Sequence, residues 1–160
     1  MTPRARISLG IVVGVLTASA FVVAQSKDPF VGTWVANVAK STYNPGPPPK
    51  SAQTTIEAAG KGYKMTVHQV PATGAAQDWT LTTNLDGKPA KVNGTNSNAD
   101  MITYTRVDAR TLESVQTLKG KETQRQKIVI SADGKTRTVT STGVDGSGKK
   151  INNVIVYDKK

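Results

Sequence analysis

Apolar and polar positions alternate with a period of two along most of the chain beyond residue 30. Tyr63, Met65 and Val67 interleave with Lys64, Thr66 and His68, and Trp79 and Leu81 with Asp78, Thr80 and Thr82. Ile128 and Ile130 interleave with Lys127 and Val129. Over 136–142, Thr fills every second position, and Arg137, Val139 and Ser141 fill the others. Successive side chains of a strand point to opposite faces, so this spacing predicts strands with one wet and one dry face.

Turn residues divide the pattern. Gly60-Lys61-Gly62, Pro71 to Gly74, Asp86-Gly87, Asp108-Ala109-Arg110, Lys119-Gly120-Lys121, Asp133-Gly134 and the stretch 143–150 separate the alternating segments. Gly and Asp there supply the backbone angles and local hydrogen bonds of tight turns. The strands predicted are 30–38, 52–59, 63–70, 77–83, a weak one at 90–94, then 101–107, 111–118, 122–131, 136–142 and 151–157. Asn44-Pro45-Gly46-Pro47-Pro48-Pro49 sits between the first two. Its prolines fix φ and lack donors, so it reads as an extended loop.

Ten short strands without long crossovers predict antiparallel pairing of sequential neighbours. A meander of that length has two exposed edges unless it closes. The expected fold is therefore all-β, an antiparallel up-and-down β-barrel of about 8–10 strands. A two-sheet sandwich is the competitor; it would need a strand that changes sheet through a long connection, and none is evident. Closure would bring the strand ending at Tyr157 beside the one carrying Trp34, with Trp34 plugging one end.

The first 24 residues follow a different pattern. Arg4 and Arg6 precede an almost wholly apolar run, 7–23, and small residues then offer cleavage after Ala20 or Ala24. This is the layout of a secretory signal peptide. Cleavage after Ala24 leaves a polar start at Gln25, so the domains expected are a 1–24 signal peptide and a 25–160 barrel, periplasmic or secreted. Uncleaved, the run approaches the roughly 17 residues needed to span a bilayer, and the chain would then be held at a membrane. The chain has no Cys, which excludes both disulfides and a lipid-modified cysteine.

Composition sharpens the interior. Beyond residue 24 there are one Phe, two Trp, two Met and four Leu. A ring of about ten strands encloses more volume than an eight-stranded one. So few bulky residues predict either a flattened barrel or a cavity lined by Thr, Ser, Gln and Tyr among aliphatics. The expected lining is Met65, Val67, Trp79, Leu81, Ile102, Tyr104, Ile128 and Tyr157. Beyond residue 24 there are 19 basic and 11 acidic residues, a formal +8. That balance favours acidic polymers or an envelope partner; the scatter of the cations argues against a specific nucleic-acid face.

Candidate chemistry is sparse. His68 shares its face with Lys64 and Thr66 and is expected in solvent, without the nucleophile or orienting carboxylate that catalysis requires. Asp145-Gly146-Ser147-Gly148 lacks the further carboxylates of a calcium loop. Asn93-Gly94-Thr95 fits a glycosylation sequon. No enzyme, metal or cofactor is expected.

Phe30-Val31-Gly32-Thr33-Trp34 resembles the first-strand motif of intracellular fatty-acid-binding proteins and, more loosely, the Gly-x-Trp of lipocalins. Gly120-Lys121-Glu122-Thr123, Asp133-Gly134-Lys135 and Val156-Tyr157-Asp158-Lys159 resemble the closing strands of the former. The layout is similar to that of small exported bacterial lipocalin-like proteins, so the resemblance implies a calycin-like barrel and a small hydrophobic ligand. Two departures stand out. The Pro-rich loop replaces the helical lid of the fatty-acid binders, and the Arg that they place two residues before the final Tyr is here Ile155. An anionic head group would then need Arg106 or Arg125 for the two-pronged contact. Two functions follow: a carrier of a small, partly apolar molecule, or a basic interaction protein with a filled barrel.

Overall fold

A computed structural model describes residues 28–160; the predicted signal peptide lies outside the described residues. Eleven strands form one antiparallel sheet: β1 (Gly32–Ala36), β2 (Ser51–Ala59), β3 (Gly62–Val70), β4 (Gln77–Thr83), β5 (Asp86–Lys91), β6 (Asn93–Gly94), β7 (Met101–Asp108), β8 (Thr111–Leu118), β9 (Lys121–Ile130), β10 (Thr136–Val144) and β11 (Lys150–Lys159). Their order is β5-β7-β8-β9-β10-β11-β1-β2-β3-β4-β6. The sheet curls into a nearly closed up-and-down barrel. Its two ends, β5 and β6, are consecutive in the chain.

The first and last strands meet as the alternation requires: Trp34 pairs with Lys159 and Ala36 with Tyr157. Trp34 is fully buried, and its Nε1 donates to the Phe30 carbonyl at 2.8 Å. Phe30 itself precedes β1, in a turn held by Asp28, whose carboxylate accepts from the Phe30 amide at 3.0 Å. The first strand is therefore shorter than 30–38. It gives way to a 3-10 turn, Val38–Lys40, capped by Asn37.

Eleven strands rather than ten arise from the weak segment at 90–94. β5 pairs with β7, while β6 crosses to pair with β4. Pro89 has no N–H to offer a second neighbour, which suits it to an edge strand. Gly94 permits the crossing: its φ is +110°, and a Cβ there would lie 2.2 Å from the Asp78 carbonyl.

Inward residues follow the predicted parity. Ile56, Tyr63, Met65, Leu81, Leu112, Ile130 and Trp34 are buried, and at about 25 cal/mol per Å² of apolar surface their burial is the main term holding a cysteine-free barrel together. The end of the barrel that receives Phe30 and Trp34 is packed. The other end carries the loops between β1 and β2, β3 and β4, β6 and β7, and β10 and β11. No helix among the described residues is long and apolar enough to cross a membrane.

Candidate functional site: a barrel cavity with a buried arginine

The inward face does not fill. A cavity of about 360 Å³ runs from the barrel interior to the open-end loops, where Tyr43, Pro45, Pro47, Pro49, Pro71 and Ala72 line it. Six of the eight expected lining residues border it: Met65, Val67, Trp79, Tyr104, Ile128 and Tyr157. Leu81 and Ile102 do not; both point inward but are packed into the core, at 1% and 0% exposure. Parity decides whether a side chain faces in. What lies across the barrel decides whether it meets open space.

The floor holds a group the sequence reading passed over. Arg137 is buried on β10, directly across the ladder from Tyr157 on β11. Its guanidinium lies 4.1 Å from the Tyr157 ring centre and 5.7 Å from that of Trp34. One Nη donates to Thr54 Oγ1 at 3.1 Å, and Nε is buried with no hydrogen-bond partner. Among the described residues it belongs to no ion pair. Burial depresses its pKa, opposed by the neighbouring tyrosines, but a guanidinium stays charged at neutral pH. The aromatic faces stabilise that charge by roughly 0.5–2 kcal/mol each, well short of what removing a cation from water costs. Tyr104 also borders the cavity, and burial pushes its hydroxyl pKa up to about 12.

Neither arginine named from the sequence fills this role. Arg106 sits at the packed end, donating to Asp28 at 2.8 Å and to the Tyr63 hydroxyl, with its guanidinium 5.3 Å from the Phe30 ring centre. It fastens the segment before β1 to the barrel. Arg125 lies on the outward face of β9 and pairs with Glu122, Nε to Oε1 at 2.7 Å. Its neighbours Gln124 and Gln126 are the inward ones. Ile155 stands two residues before Tyr157, and it is Arg137, on the neighbouring strand, that faces the Tyr157 ring. The signal was present: Arg137 shares its inward parity with Val139 and Ser141.

The wall above Arg137 has two characters. Ile56, Met65, Val67 and Trp79 form an apolar stretch from β2 to β4, joined by Gln69 and Gln77. Opposite, β8 to β10 contribute Leu112, Ile128 and Val139, and also the polar group Gln116, Gln124, Gln126 and Ser141. Asp145, at the open end, is the one carboxylate among the lining residues. Its pKa is lowered by hydrogen bonds, first from the Ser147 side chain.

On the outside, His68 is exposed as expected, but it has a cross-strand neighbour that the alternation did not identify: its Nδ1 hydrogen-bonds Asp78. Among the described residues no group of three His, Cys, Asp or Glu side chains is placed to hold a metal. No family model, curated protein or solved structure matches this chain.

Proposed function

We propose that the protein is an exported, lipocalin-like container for a small, partly apolar anion. The observation that carries this reading is Arg137, a buried cation without a carboxylate partner, facing a cavity with an apolar side. A cation so placed is costly unless an anion joins it. A carboxylate or similar group on a compact apolar body would neutralise it, while Met65, Val67, Trp79 and Ile128 take up the body. Pockets of a few hundred Å³ that combine apolar contacts with placed polar groups are what small ligands occupy. Export is supported by the signal-like 1–24 segment, and the lipocalin-like reading by the Gly32-x-Trp34 motif at the closing seam.

The test compares medium-chain carboxylic acids, plain and hydroxylated, with the matching alcohols, read by calorimetry and by Trp fluorescence through Trp79. The acids are expected to bind more tightly than the alcohols. Arg137→Gln should weaken them about 10- to 100-fold, the worth of about 1.5–3 kcal/mol in charge-assisted hydrogen bonds, and erase the preference. Wild-type protein that binds none of the acids, or binds the alcohols equally well, would sink the reading.

A second reading rests on the exterior. Among the described residues Arg137 is the one Lys or Arg that is buried, so the exposed cations that are not held in ion pairs are available to an acidic polymer.

A further inference from the structure

The amide side of the cavity narrows the ligand class further, on the reading that the barrel is a container. Gln116 and Gln124 are direct cross-strand partners on β8 and β9, and only 7% and 5% exposed. Ser114 pairs with Gln126, and Gln126 with Ser141. The four inner groups form one directed chain of hydrogen bonds. Ser114 Oγ donates to Gln126 Oε1 at 3.1 Å, Gln126 Nε2 to Ser141 Oγ at 3.5 Å, and Ser141 Oγ to Gln124 Oε1 at 2.9 Å. The serines take the amide oxygens, so the chain ends in a donor, Gln124 Nε2. Among the described residues neither that nitrogen nor any side-chain atom of Gln116 has a protein partner.

Both amides face the cavity, and cutting them off from any hydrogen-bond partner costs about 1–3 kcal/mol for each group left unsatisfied. An apolar tail laid along this side would impose that cost. A hydroxyl or carbonyl oxygen would remove it. Position then sets the ligand's shape. Ser141 lies four residues from Arg137 on the same inward face of β10, roughly 13 Å at the rise of a strand. We infer that the occupant is a compact acid polar at both ends: a carboxylate or similar anion at Arg137, an apolar middle, and a hydroxyl or carbonyl oxygen roughly 13 Å away, where the Gln124 amide reaches Ser141. A simple fatty acid satisfies the first two requirements and fails the third. The volume suits a molecule of this size, since 360 Å³ equals about a dozen waters at their liquid volume.

Decanoate and 10-hydroxydecanoate differ only by the terminal hydroxyl and are the probes. The wild-type protein is expected to bind the hydroxy acid about tenfold more tightly by calorimetry. Replacing the amide pair, Gln116→Leu with Gln124→Leu, should reverse the order. Arg137→Gln should weaken both acids together and leave their ratio unchanged. Equal binding of the two acids by wild-type protein, or tighter binding of decanoate, overturns the inference while leaving the container reading in place. Failure of wild-type protein to bind either acid overturns both. Because the matched pair is compared first on unmodified protein, the result does not depend on whether the double variant folds.

Discussion

Single residues set the chemistry of the interior, and the sequence disclosed them unevenly. Met65, Val67, Trp79 and Ile128 were legible because an apolar residue at an inward position is an ordinary event. Arg137 has the same parity but is not legible as an inward group, because charged residues are usually solvated; the rings of Tyr157 and Trp34 and the hydroxyl of Thr54 hold it inside. The buried tyrosines give the residue scale a pH signature. Tyr104 holds its proton up to about 12, against 10 when unfolded, because burial disfavours the phenolate. Tyr63 is raised in the same direction, first by burial and then by its hydrogen bond to Asp28. A folded state that keeps a proton which the unfolded chain has lost is destabilised as pH climbs. The contribution is therefore intact below pH 10 and disappears between about 10 and 12. Urea unfolding across that window should show a loss of about 2–3 kcal/mol attributable to Tyr104, and Tyr104→Phe should flatten the slope.

Elements were easier to recognise than their pairings. Turn chemistry located almost every strand, and alternation oriented them. What could not be read was the division of 86–94 into β5 and β6, since a two-residue strand has no periodicity to detect. The crossing rests on Gly94, whose φ of +110° and contact with the Asp78 carbonyl leave no room for a side chain. Gly94→Ala should cost about 2 kcal/mol or more of unfolding free energy, strain and overlap together. Gly60→Ala is the control: it has a positive φ of +57° but nothing within 4 Å of its added carbon, and should lose only about 1 kcal/mol. Equal losses at both glycines would mean that the crossing is not sterically enforced.

At the scale of the whole molecule, inside and outside are separate electrostatic compartments. The chain carries a formal charge of +10, yet the one buried cation among the described residues faces the cavity. The surface reading and the container reading therefore make independent predictions. Retention on heparin should fall steeply as salt rises, because exposed charges are screened within about 8 Å at physiological ionic strength. Arg137→Gln, which removes no exposed charge, should elute at the same salt as the wild type. A shift of that variant would place Arg137 in contact with the polymer and contradict its burial. The overall architecture was the most legible feature of all, since a long meander of half-buried strands has few ways to hide both edges.

The ring of Tyr157 forms part of the cavity's floor, and its strand seals the wall against β1. β1 and β11 are the neighbours in the sheet that stand furthest apart in sequence, so the enclosure is completed by a long-range contact, the slowest kind to form. Until it forms, β1 and β11 each present a raw strand edge.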